Sequence, residues 1–315
     1  MCEFFLLLVL ALPVQAAAPS PEQLSQTVVL YGRQQVGTLQ ATGFVVDAAR
    51  GWVVTTWHFW SSVSEPGVLP PGFDKGVLEV APSPYMNRYF RGEGHAARLI
   101  WYEAAADLAL VEVTDLPKSV KQVAFSADPT VEGQQVQALG NPFARNAMWE
   151  LDAGKVTGSR DAIWRYAHGQ EIATSVFEFA VEKPLVTGFS GGPVFNEKGQ
   201  LAGMVIAAAT PDGLSVYAVE AAIIERFVAR THAHIALKQQ QKGDAAGALT
   251  HANLAVGYAP GDAAVHFARA RVYLQQVKVA EARSDLAAAA KRFPAMRMMY
   301  QMWDAGSAIA KTHGK

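Results

Sequence analysis

Gly188-Phe189-Ser190-Gly191-Gly192-Pro193 sets a serine among glycines. A serine hydroxyl is a weak nucleophile until a base takes its proton and N–H groups hold the oxyanion that forms. Gly188 has no Cβ to obstruct a backbone N–H aimed at that charge, and the N–H of Ser190 itself can be the second donor. Gly191, Gly192 and Pro193 lead into Val194-Phe195-Asn196, which reads as a strand. A Gly/Pro-rich hairpin turn with an incidental serine would look much the same. Two other segments weigh against that: Gly51-Trp52-Val53-Val54-Thr55-Thr56-Trp57-His58 is an apolar strand ending in a histidine, and Ala106-Asp107-Leu108-Ala109-Leu110-Val111 carries an aspartate at the mouth of another. A base, an acid that orients it and a nucleophile are the parts of a serine triad, here in the order His, Asp, Ser.

That is the chymotrypsin order rather than the subtilisin or α/β-hydrolase order. The chain resembles the HtrA/DegP branch of trypsin-like serine proteases. The matches run in order through Thr42-Gly43-Phe44-Val45-Val46-Asp47, the His58 strand, Asp107-Leu108-Ala109-Leu110, Leu139-Gly140-Asn141-Pro142-Phe143, Gly154-Lys155-Val156-Thr157 and the Ser190 turn. The resemblance implies His58 as general base, Asp107 as its orienting acid, Ser190 as nucleophile, and the Gly188 and Ser190 amides as oxyanion hole. Phe189 departs from the family, which usually has asparagine or aspartate there, so the aromatic ring could alter how readily the oxyanion hole forms.

The elements that must position these residues are strands. Short β-branched or aromatic runs at residues 28–31, 43–46, 52–55, 77–80, 97–101 and 108–113, broken by a Pro/Gly-rich loop at 67–74, suggest an antiparallel barrel. A second set follows at 135–139, 154–157, 175–179, 192–195, 201–207 and 215–219. The expected fold is mainly β, a chymotrypsin-like double six-stranded barrel, with His58 and Asp107 from the first barrel and Ser190 from the second. By the resemblance, the position of the acid with which trypsin attracts lysine or arginine falls at Pro184, beside Leu185 and Val186. Cleavage after small or medium aliphatic residues is therefore expected. The edge of Val205, Ile206 and Ala207 would receive an extended substrate as an added strand.

After a last helix at 220–230, with Ile223, Ile224 and Phe227 on one face, the period changes. Ala248, Ala255 and Pro260 recur as Ala282, Ala289 and Pro294 at one constant offset, which is the tetratricopeptide (TPR) period. A generic alanine-rich helical hairpin is the plainer alternative. Gly243 would turn the first helix pair, whereas its counterpart is Val277, and residues 296–309 would close the unit. The branch usually carries PDZ modules here, and no glycine-containing carboxylate-binding loop of that kind is visible. The expected domains are thus a protease domain at 19–230 and a small TPR-like α-helical domain at 231–315.

Composition bounds the setting. The 315 residues are half hydrophobic and carry a net charge of −1. From Arg230 onward there are 12 basic and 5 acidic residues, against 15 and 23 before it. That asymmetry reads first as solvated surface and alternatively as a basic tail docking an acidic face. Residues 4–12 are apolar but too few to span a bilayer, and Ala16-Ala17-Ala18 follows, so residues 1–18 read as a secretory signal, with a retained anchor as the alternative. Cys2, the one cysteine, would leave with it, and the mature chain would form no internal disulfide. Export without cysteines points to the bacterial periplasm.

No cofactor is required by a serine triad, and no Cys/His/carboxylate group has metal-ligand spacing. His232 and His234 read as incidental surface histidines. Neither a phosphate-cradling loop nor a basic motif interleaved with aromatics argues for nucleic acid. The implied partners are polypeptide substrates and a protein at the helical repeats; self-association into a homo-oligomer stays open. The function expected is an exported serine endopeptidase in envelope protein quality control or regulated proteolysis. The competing expectation is a weak or inactive protease-fold binding protein whose repeats carry the function.

Overall fold

Runs of Val, Ile, Leu and Phe that alternate with polar residues favour half-buried strands, and turns rich in Gly, Asp and Pro let them fold back on one another. The computed structural model describes residues 18–33, 38–62, 78–82, 95–142, 149–166 and 169–293, with positions 297, 300 and 301. After a short helix α1 (Pro21–Gln26), the first barrel comprises β1 (Thr27–Arg33), β2 (Thr38–Asp47), β3 (Trp52–Thr56), β4 (Leu78–Pro82), β5 (His95–Glu103) and β6 (Leu108–Val113), and helix α2 (Trp57–Ser62) follows directly on β3. The second comprises β7 (Gln135–Gly140), β8 (Glu150–Arg165), β9 (Glu171–Val181), β10 (Pro193–Asn196), β11 (Leu201–Ala208) and β12 (Ser215–Glu220). Each set closes on itself, in the orders β1-β2-β3-β6-β5-β4 and β10-β11-β12-β9-β8-β7. Each strand thereby pairs with two neighbours.

All twelve expected strands are present. The predicted loop at 67–74 and the signal at 1–18, save residue 18, lie outside the described residues. β8 and β9 extend well beyond the expected 154–157 and 175–179. Their outer halves combine polar cross-strand pairs, Arg160–Glu178, Ser175–Asp161 and Arg165–Glu171, with the buried Ala162 and Ile172.

The helix expected to stop at residue 230 instead runs on as α3 (Ala221–Gln241), straight through the predicted domain boundary. Nothing in its sequence breaks it before Gly243, which takes φ +81°. Ile224, Phe227 and Val228 on α3 belong to the same hydrophobic cluster as Phe44, Trp52 and Leu110 of the first barrel. Three more helices follow: α4 (Ala245–Tyr258), α5 (Ala263–Gln275) and α6 (Val279–Arg292). Ala248, Ala255, Ala282 and Ala289 are all fully buried, which lets the helices approach closely. The offset that relates these alanines also relates the end of α3 to the end of α5, and both ends of α4 to those of α6. Pro294 and nearly all of the expected closing helix at 296–309 lie outside the described residues.

The helical region meets the first barrel through aromatic rings rather than charge. His232, expected at the surface, is fully buried: its ring stacks on Trp52 at 4.3 Å, and its Nδ1 lies 2.8 Å from Nδ1 of His251. The Tyr258 hydroxyl donates to the Val46 carbonyl at 2.9 Å. His234 lies 4.3 Å from Trp101. The ion pairs Arg230–Asp262 and Arg269–Asp285 stay within the helical region.

Two outcomes follow from this packing. Val277 is a β-branched residue at φ +61° and 81% exposed, occupying the turn position that Gly243 fills one helix pair earlier. Val277→Gly is expected to raise stability by about 1 kcal/mol in thermal or urea unfolding, by removing left-handed strain at no packing cost. Burial first, then the neighbouring His251 and Arg50, push the His232 pKa down to about 3. The unfolded chain therefore takes up a proton near pH 6.5 that the folded chain refuses, so this stability is complete above pH 6.5 and is lost as pH falls toward 3, at up to about 1.4 kcal/mol per unit. Between pH 7 and 5 the melting temperature of the wild type should fall more steeply than that of His232→Phe; parallel curves would contradict the assignment.

Candidate active site

His58 stands in the first turn of α2, where β3 delivers it to the mouth of the first barrel. Asp107 precedes β6, after the short 3-10 turn Ala104–Ala106, and takes the left-handed conformation at φ 57°, ψ 35°. Aspartate tolerates that region better than most residues. Asp107 is fully buried, so its carboxylate must be satisfied by the protein. Its Oδ1 accepts from the His58 main-chain N–H at 2.7 Å and its Oδ2 lies 2.6 Å from His58 Nδ1. Its own carbonyl accepts from Trp57 N–H at 3.0 Å. With Nδ1 committed as donor to the carboxylate, Nε2 is left as the basic nitrogen of the ring.

The Ser190 turn is held from both barrels. Gly188 has φ +110°, and a Cβ there would stand 2.0 Å from the Asn141 carbonyl oxygen. The Gly188 carbonyl accepts from Thr42 Oγ1 at 2.7 Å and from Asn141 N–H at 3.3 Å, and the Ser190 carbonyl accepts from Thr42 N–H at 2.9 Å. Asn141 Nδ2 donates in turn to Thr42 Oγ1, and Gln40 Nε2 to the Asn141 carbonyl. These contacts pin the carbonyls. Among the described residues, neither the Gly188 nor the Ser190 N–H is committed to a protein acceptor. Phe189, the family departure, is buried in the core of the second barrel, its ring against Gly140, where a Cβ would come within 2.3 Å of it. The side chain thus anchors the turn by packing.

His58 and Ser190 line one cleft of about 990 Å³. No hydrogen bond joins Ser190 Oγ to His58 among the described residues; such contacts are often long before substrate binds. Leu185, Val186, Val205, Ile206 and Ala207 line the same cleft. Pro184 does not: it is exposed and lies behind, near Gly213, because the chain from Pro184 to Leu185 turns inward only at the leucine. Ala208, Ala209 and Val216 complete an apolar wall that position-by-position comparison with trypsin misses, and among the described residues no Asp, Glu, Lys or Arg lines the cleft. Tyr166 and Gln170, neither marked by any motif, also reach Asp107. Gly169, at φ +95°, is the one sequence signal that could have marked the hairpin that carries them.

Two antiparallel barrels with a His–Asp pair from one and a serine turn from the other define a chymotrypsin-type architecture. A profile of the trypsin-like peptidase domain matches residues 41–204, and the chain belongs to that family. Its relatives are of the HtrA/DegP type. The periplasmic serine endoprotease DegP of Salmonella typhimurium is 26% identical over 183 residues, covering 58% of this chain and 33% of DegP. The chloroplastic protease Do-like 1 of Arabidopsis thaliana is 34% identical over 122 residues, covering 38% and 26%. The chain thus spans about a third or less of the length of these relatives. Among solved structures, the active form of the Rv3671c protease from M. tuberculosis has a similar fold, with a TM-score of 0.50 and 20% identity over 70% of this chain and 89% of that one.

Phe189→Ala is expected to cost about 3–5 kcal/mol in unfolding, as for other buried aromatics, and to loosen the Ser190 turn. Phe189→Leu should retain most of the stability. Equal stability of Phe189→Ala and wild type in urea would show that the ring does not anchor the turn.

Proposed function

We propose that the chain is an exported serine endopeptidase acting through His58, Asp107 and Ser190. The observation that carries this reading is the 2.6 Å contact from His58 Nδ1 to a fully buried Asp107, facing a cleft that Ser190 shares. His58 Nε2 takes the proton of Ser190 as Oγ attacks the scissile carbonyl. The Gly188 and Ser190 amides receive the oxyanion, and the imidazolium, held in its tautomer by Asp107, protonates the leaving amine. Water then clears the acyl-enzyme by the same steps in reverse. The apolar wall of Leu185, Val186 and Ala207 suits small or medium aliphatic side chains at the cleaved bond, and the Val205 to Ala207 strand suits an extended polypeptide.

The apolar leader and the periplasmic relatives support action in the bacterial envelope, in protein quality control or regulated proteolysis. No helix among the described residues is long and apolar enough to cross a membrane. The constant offset between helix pairs supports reading the helical region as TPR-like, a platform for a protein partner. A second reading, a binding protein with a dormant site, draws on the absence, among the described residues, of a hydrogen bond between Ser190 Oγ and His58.

A fluorophosphonate probe separates the two. Covalent labelling of the wild-type protein, abolished in Ser190→Ala and reduced by at least about 10³-fold in His58→Ala, is the expected result. A wild type that stays unlabelled, with unfolded protein added as activator, would overturn the enzyme reading in favour of binding.

A further inference from the structure

Asp107 belongs to the first barrel, yet two of the four hydrogen bonds to its side chain among the described residues come from the second. Tyr166 and Gln170 flank the tip of the β8–β9 hairpin, which is closed by Tyr166 N–H to the Gln170 carbonyl and Gly169 N–H to the Tyr166 carbonyl, both at 2.9 Å. The Tyr166 hydroxyl lies 3.1 Å from Asp107 Oδ2 and 2.9 Å from the Ile206 carbonyl, two acceptors sharing its one proton. The Gln170 amide directs its two protons to Asp107 Oδ1 at 3.3 Å and to the Ala104 carbonyl at 3.1 Å. Ala104 opens the 3-10 turn that sets Asp107 in its left-handed conformation. The Tyr166 ring also leans on the imidazole of His58, with centroids 4.8 Å apart.

We propose that Tyr166, seconded by Gln170, is the positioning residue of this site: it holds the Asp107 carboxylate and the His58 ring in register with the cleft wall at Ile206. Ile206 borders the cleft, and its aliphatic side chain offers Asp107 no donor of its own. Among the described residues Tyr166 supplies the only hydroxyl on that carboxylate. Burial first, and then the charge and hydrogen bond of Asp107, hold the phenol far above its ordinary pKa, so it remains a donor throughout the working range of a histidine base. One hydroxyl thus ties the acid, the base and the strand that borders the substrate.

The inference deepens the endopeptidase reading and rests on it, so the test includes a measurement that needs no turnover. Tyr166→Phe keeps the ring and removes the proton. Asp107 then becomes a stronger acceptor for His58, which favours imidazolium. In the labelling rate of Ser190 by fluorophosphonate against pH, the acid limb should move up by about half a unit and the plateau should fall roughly tenfold. The downfield His58 ring N–H resonance in the proton NMR spectrum should be displaced in the same variant. Gln170→Met should displace that resonance as well, and it serves as the test if Tyr166→Phe does not fold. An unlabelled wild type with a displaced resonance would sink the enzyme reading and leave the clamp standing. A lowered melting temperature with the resonance and acid limb both unmoved would reduce Tyr166 to packing and overturn the proposal.

Discussion

Asp107 carries a carboxylate with no exposure to water, and much of the architecture answers to that constraint. Removing an ion from solvent costs several kcal/mol unless donors replace the water. Here the donors are a main-chain N–H, an imidazole, a phenol and an amide, and no single barrel supplies all four. The dependence runs the other way too: the Ser190 turn belongs to the second barrel but hangs from Thr42 on β2 of the first. Each barrel therefore secures a candidate segment of its neighbour, and the interface between barrels and the geometry of the candidate site are one structure.

The strands, the His58–Asp107 pair and the glycine turn were legible in the sequence because each depends on local chemistry: period-two burial, a histidine at a strand end, a glycine where φ must be positive. What stayed hidden depends on contacts between distant residues. Tyr166 meets Asp107 across 59 positions, at the end of a hairpin whose outer half mixes polar with apolar residues. His232 looked like surface because its His-Ala-His spacing puts successive rings on different sides; the sequence could not show that Trp52 would cover one side and Trp101 the other. Pro184 was assigned by position against trypsin, and the inward turn of the chain comes one residue later. The helix through residue 230 was cut short because a family boundary was expected where the chain itself has no breaker.

The helical region is less an appendage than a third wall. α3 shares its hydrophobic cluster with both barrels, and β3, which ends beside His58, begins at Trp52 beneath His232. A five-residue strand is about 17 Å long and stiff, since both its faces are buried. The aromatic seam under α3 and α4 and the candidate base thus lie at opposite ends of one rod.

The pairing of Asp107 with Tyr166 and Gln170 also has a meaning in time. A ribosome makes the chain from its first residue onward, and domains fold as they emerge. When the first barrel is complete, His58 and Asp107 are present, but two of the donors that hold Asp107 are 59 and 63 positions further along. Until the second barrel exists, the acid lacks two of its four donors. Chain order alone thus leaves the candidate site unfinished until the second barrel has been made.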